Sequence, residues 1–200
     1  MTGDFLASLA RWVSGASARW LGCEPGPGQR IYFANHASHL DALVIWSLLP
    51  PELRPLTRPV AARDYWTKGA LRRHLAEKVF RAILIERKKP TAHANPLVQI
   101  LEGMGSRESI ILFPEGTRTT GAEPGPFKAG LYHLARKRPE VELVPVYLEN
   151  LNRILPRGEI LPIPLLGCVT FGSPIRVLPG EAKQAFLERA RTEILRLRDA

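Results

Sequence analysis

His36 and Asp41 share the run Asn35-His36-Ala37-Ser38-His39-Leu40-Asp41, so one turn of chain can bring an imidazole and a carboxylate together. A carboxylate on one ring nitrogen fixes the tautomer and leaves the other nitrogen free to take a proton. General-base help of that kind is worth about 10²- to 10⁴-fold in rate. Ser38 followed three residues later by Asp41 resembles a capping box with Asp in place of the usual Glu. That puts Asp41 in the first turn of a helix, where the dipole favours its charged form. A plain helix cap beside a core histidine has the same pattern, and both readings stand at this point. The spacing of His36, His39 and Asp41 matches no metal-ligand pattern, so no metal is expected. His74, His93 and His133 are scattered and read as incidental. The chain has no Gly-x-Ser-x-Gly elbow, and neither Cys23 nor Cys168 is flanked by a base. Chemistry at His36 therefore points to attack by an external hydroxyl, with no covalent intermediate on the protein.

A second set of residues is suited to an anion. Phe113-Pro114-Glu115-Gly116-Thr117-Arg118 follows an apolar strand pattern directly. Gly116 permits a tight turn there, and Arg118 offers a planar fork that matches phosphate. Glu115 is placed to orient that guanidinium or to accept a hydrogen bond from a hydroxyl. Lys128, at the start of the next helical pattern, opposes the helix dipole unless an anion docks there too. Arg87 closes another short apolar strand. Three cations from separate loops meeting one anion is the expected arrangement, against the plainer reading of solvated loop salt bridges.

These residues need a scaffold, and the periodicity supplies one. Helical spacing runs over residues 4–21, 38–49, 95–104, 127–138 and 181–198, with further basic, helix-prone sequence from about Tyr65. Strand patterns occupy 31–34, 82–86, 109–113, 141–148 and part of 168–177. Strands alternating with helices predict a single α/β domain, a mixed sheet flanked by helices, whose sites gather where strands end and helices begin. An amphipathic segment, residues 1–24, is expected to precede the domain proper, residues 25–200. A composition that is 45% apolar and 24% charged places the chain among ordinary globular proteins rather than disordered ones.

Cys23 and Cys168 are the only cysteines and have no ligand spacing, which fits a reducing compartment and excludes a disulfide framework. The start, Met1-Thr2-Gly3-Asp4-Phe5, lacks the basic and apolar character of a secretory signal. No stretch nears the roughly 18 to 20 apolar residues that span a bilayer. The net charge is +9, and between Glu52 and Lys89 eleven Lys or Arg face four acids. Such a segment attracts nucleic acid, anionic lipid, or a phosphorylated substrate and carrier, or it is simply a solvated basic face. It lacks the interleaved aromatics and motifs of a nucleic-acid binder, so nucleic acid is not an expected partner. Phe5, Leu9, Trp12, Val13 and Trp20 offer an aromatic face suited to the headgroup boundary of a membrane.

Taken together, the blocks resemble the glycerolipid acyltransferases, specifically the 1-acyl-glycerol-3-phosphate acyltransferases. That family shows a His and an Asp separated by four residues, as in His36 and Asp41. A second block, ending in arginine, is matched by Ile83-Leu84-Ile85-Glu86-Arg87. A third is matched by Phe113 to Arg118 with Phe127-Lys128-Ala129-Gly130, and a fourth, strand-borne block by Val144-Pro145-Val146. The resemblance implies that His36 is the general base and Asp41 its orienting partner. Arg87, Glu115, Gly116, Thr117 and Arg118 would bind the glycerol phosphate, helped by Lys128, and Pro145 would shape the wall near the acyl chain. The implied reaction moves a fatty acyl group from acyl-CoA or acyl-carrier protein to a lysophospholipid, giving phosphatidate in phospholipid biosynthesis, with no cofactor. Another lysophospholipid or a lyso-aminolipid is the alternative acceptor. The implied place is the cytoplasmic side of the cell membrane, held peripherally or monotopically on anionic lipid. The spanning amino-terminal segments of many relatives are not expected ahead of His36, and Arg81 stands where that family commonly has glycine.

Overall fold

The computed structural model describes residues 2–38, 40–86, 95–118, 123–149 and 167–200. Its core is a seven-stranded sheet in the order β1-β7-β6-β2-β5-β3-β4. The strands are β1 (Ser17–Trp20), β2 (Arg30–Ala34), β3 (Thr57–Ala62), β4 (Ile83–Ile85), β5 (Ser109–Leu112), β6 (Glu142–Glu149) and β7 (Cys168–Phe171). Every pairing is parallel except β6 with β7. The fold is the mixed α/β domain that the alternating pattern predicts.

β2 lies between β5 and β6, and all five of its residues are buried. Its side chains alternate between two cores, as a pleated strand requires. Tyr32 and Ala34 join one cluster with Val44, Ile45 and Trp46 of α2 (Asp41–Leu48), and with Ala7 of α1 (Thr2–Ser14) and Phe80. Ile31 and Phe33 join the other, built by α5 (Pro96–Met104), α6 (Gly130–Lys137) and α7 (Lys183–Arg198). Between the two short helices α3 (Arg63–Trp66) and α4 (Ala70–His74) and strand β4 runs a π-helical turn, Leu75–Val79, on the α1/α2 side. Asn95 caps α5 by accepting from the Leu97 N–H at 2.9 Å.

Three expectations are corrected here. The first helix ends at Ser14, well before residue 21, because Gly15 takes φ +58°, the left-handed geometry that closes a helix. Ser17–Trp20 then forms the edge strand beside β7, with the Trp20 ring stacked 3.9 Å from that of Phe171. Trp20 therefore belongs to the sheet and not to an aromatic helix face, and the segment 1–24 is continuous with the domain. Second, β3 has no counterpart in the strand pattern. Its Pro59 pairs with Ile111 of β5, just before the ladder to β4 begins at Val60, so its missing N–H falls where that side has no partner strand yet. Third, the basic segment does not form one open patch. Arg54 is buried and donates to Leu49 O, and Arg58 and Arg81 share Glu108. Arg81 sits at φ +48°, the single non-glycine with positive φ among the described residues, which is the conformation a glycine would hold without strain.

Candidate active site

Loops leaving the carboxyl ends of the neighbouring parallel strands β2 and β5 meet at His36. Asn35 locks the first loop to β6, exchanging hydrogen bonds with both backbone groups of Leu148 at 3.1 and 2.8 Å. The chain then turns through Ala37 and Ser38 into α2, and the Asp41 carboxylate reaches back. Its Oδ2 lies 2.8 Å from His36 Nδ1 and accepts the backbone N–H of Ala37 at 2.7 Å and of Ser38 at 2.9 Å. The full capping box is not formed: Leu40 precedes α2 with no side-chain cap, the Ser38 hydroxyl accepts from Leu40 N–H at 3.3 Å, and Asp41 N–H donates to the Ser38 carbonyl. Asp41 is fully buried, and its Oδ1 has no hydrogen-bond partner among the described residues. Three donors on one oxygen hold the carboxylate so that Nδ1 carries the proton and Nε2 is the nitrogen left for a substrate. The imidazole stacks on Phe113, with centroids 4.2 Å apart and planes 20° apart.

His36 borders a cavity of about 290 Å³. Gly116, Thr117 and Arg118 line it together with residues 59–62 of β3, Leu43, Tyr65 and the aromatic rings of Trp66, Phe80 and Phe113. Gly116 turns with φ +69°, and its N–H donates to Phe113 O at 3.0 Å. Among the described residues, no group of three His, Cys, Asp or Glu is placed to hold a metal ion.

The expected site residues part company in the structure. His36, Gly116, Thr117 and Arg118 come together on the cavity, with Asp41 directly behind. Glu115 is buried and does not line it. One carboxylate oxygen accepts the His36 backbone N–H and the other that of Gly125, each at 2.8 Å. Glu115 thereby ties the β5 loop to the β2 loop. Lys128 lies ahead of α6 and anchors its backbone on Pro114 O at 2.8 Å; its ammonium packs over Gly116, where an added Cβ would come within 2.7 Å of Nζ. It therefore supports the Gly116 turn from outside the cavity lining. Pro145 faces the opposite core, where its ring and Leu197 crowd Gly172, so it forms no part of the cavity wall. The β2 register explains this: Pro145 is level with Phe33, on the face away from Tyr32 and Ala34. Arg87 and His39 lie outside the described residues. Pattern reading missed the β3 wall and the aromatic rings of Trp66 and Phe80; the apolar tail of β3, Val60-Ala61-Ala62, is the one local signal that was there.

A carboxylate-held histidine thus stands at the strand ends of a mostly parallel sheet, on a cavity that Arg118 and several apolar side chains also line. A family profile described as Acyltransferase matches residues 24–149, and the chain belongs to that family. The 1-acyl-sn-glycerol-3-phosphate acyltransferase of Limnanthes douglasii is 28% identical over 169 residues, covering 82% of this chain and 57% of that protein. That of Escherichia coli (strain K12) is 29% identical over 140 residues, 64% of this chain and 52% of the other. The chain thus spans about half the length of these curated relatives. The crystal structure of the 1-acyl-sn-glycerophosphate (LPA) acyltransferase PlsC from Thermotoga maritima has the same fold, with TM-score 0.73 at 17% identity over 98% of this chain and 76% of that one.

Proposed function

We propose that this protein transfers a fatty acyl group from a thioester, acyl-CoA or acyl-carrier protein, to the free hydroxyl of 1-acyl-glycerol-3-phosphate, giving phosphatidate. The observation that carries the reading is His36, held by Asp41 at 2.8 Å and lining one cavity together with Arg118 and a set of apolar side chains. The acceptor's phosphate is taken by Arg118 with Gly116 and Thr117, and Arg87 belongs to the same set. The acyl chain lies along the apolar wall. Nε2 takes the proton of the hydroxyl as its oxygen attacks the thioester carbonyl. The tetrahedral intermediate collapses with cleavage of the C–S bond, and the thiolate leaves with the proton returned from the imidazolium, which the buried Asp41 charge stabilises. No cofactor or metal takes part in these steps.

The reaction is assigned to the cytoplasmic surface of an anionic membrane. Among the described residues no helix is long and apolar enough to cross one, while α1 buries Ala7 and Ala10 against the domain and turns Phe5 and Trp12 outward. Those two rings suit the headgroup boundary. The test is a transfer assay with purified protein, detergent-dispersed lysophosphatidate and either thioester, set against neutral lysolipids. Phosphatidate is the expected product, and His36→Ala lowers its rate by about 10²-fold or more. Equal use of neutral lysolipids, or near-normal turnover in His36→Ala, overturns the reading.

A further inference from the structure

Of the six large apolar side chains exposed among the described residues, four lie on the layer formed by α1, α2 and residues 65–80: Phe5, Leu9, Trp12 and Leu71. Leu71, 72% exposed, sits on a turn unlike the rest of that layer. Residues 68–74 are exposed without a break, so the whole of α4 stands off the body of the protein. A helical turn of that length packed on no side is marginal by itself. It is also strongly cationic, with Lys68, Arg72, Arg73 and Lys78 exposed against the one carboxylate of Glu77. The Arg72 guanidinium lies 4.7 Å over the Tyr65 ring, and Arg73 donates to Thr67 O at 3.3 Å, so both charges are held on the outer surface. The inner side of the same segment is different: Tyr65, Trp66, Ala76 and Phe80 line the cavity.

We propose that α4 is a second membrane contact, which seats the cover of the cavity on an anionic bilayer. Leu71 enters the headgroup boundary, and Lys68, Arg72, Arg73 and Lys78 meet lipid phosphates. This rests on the membrane-surface reading given above and extends it to a surface that α1 does not supply. Two observations select a bilayer as the occupant. The cations match its charge. Trp46 packs between the two contacts, its ring 5.4 Å from that of Phe80 on one side and an added Cβ of Gly3 in α1 only 3.4 Å from it on the other, so both belong to one layer.

Full-length Leu71→Asp and Arg72→Glu/Arg73→Glu variants are compared with the wild type by flotation on phosphatidylcholine vesicles with and without about a quarter phosphatidylglycerol. All altered residues are exposed, and unchanged melting temperatures confirm the fold. Each variant is expected to lose about thirty-fold or more in partitioning to anionic vesicles, at about a tenfold per 1.4 kcal/mol. Transfer to vesicle-borne lysophosphatidate falls in step, while transfer to the detergent-dispersed substrate is unchanged. Variants that float like the wild type overturn the proposal. So does a loss confined to transfer from acyl-carrier protein, which makes α4 a contact for an acidic protein instead. Flotation needs no catalysis, so a wild-type protein inactive on dispersed lysophosphatidate counts against the proposed reaction and leaves the docking to be judged by the vesicles alone.

Discussion

Asparagine at position 41 separates what the carboxylate does for His36 from what it does for the loop. Oδ2 accepts from two backbone donors, Ala37 N–H at 2.7 Å and Ser38 N–H at 2.9 Å, besides His36 Nδ1 at 2.8 Å. Those two donors repel an NH2 group, so the amide oxygen of Asp41→Asn takes the Oδ2 place and the tautomer of His36 is kept. The NH2 then occupies the place of Oδ1, which is buried with no partner among the described residues. Leaving it unsatisfied costs about 1 to 3 kcal/mol, or a fall in Tm of about 2 to 12 °C for a chain of this size. Loss of the negative charge turns a charge-assisted bond to the imidazolium into a neutral one, a change of about 1 to 1.5 kcal/mol felt only once His36 holds the proton. At about 1.36 kcal/mol per decade, kcat falls roughly five- to fifteen-fold, with little change in either KM. Asp41→Ala is the contrast, since it strands all three donors and loosens the turn itself. The assay is steady-state transfer of an acyl group from acyl-CoA to detergent-dispersed lysophosphatidate, with Tm measured in parallel. A folded Asp41→Asn protein with near-wild-type kcat, or one in which only KM moves, refutes the role given to the carboxylate.

Arg118→Ala should raise the lysophosphatidate KM about ten- to 150-fold, for loss of a charge-assisted phosphate contact of about 1.5 to 3 kcal/mol, and leave the thioester KM nearly unchanged; equal effects on both substrates count against a phosphate contact. Arg81, at φ +48°, should reverse the usual order of alanine and glycine. Arg81→Gly is expected to be more stable than Arg81→Ala by about 1 kcal/mol in urea denaturation, because both lose the Glu108 contact and only alanine keeps the left-handed strain. Arg189 grips Glu181 ahead of α7 through Nη2 at 2.7 Å and holds that carboxyl below its ordinary pKa. A lowered folded-state pKa contributes stability above the unfolded value and loses it as pH falls through the lowered one. Glu181→Gln should therefore cost about 1 kcal/mol or less at neutral pH and nothing in strong acid, read as converging Tm values on acidification.

What the sequence determined by itself was local. The interval from His36 to Asp41 is short enough that one turn of chain brings carboxylate to imidazole, and the structure has that pair. β2, β5 and β6 were legible because strands buried on both faces read as unbroken apolar runs, and α7 because an amphipathic helix carries its own period. β1 and β3 were not. One is a mostly exposed edge strand and the other contains a proline, and both exist because a neighbouring strand pairs with them. Tertiary structure alone decided which way each side chain faces. One β6 register puts Pro145 against Leu197 rather than against the cavity. The meeting of the β2 and β5 loops makes Glu115 a clamp between the His36 and Gly125 backbones. The cavity draws its lining from residues as far apart as His36 and Arg118, and no local pattern records which of them will meet, because burial and facing are properties of the closed sheet and its layers.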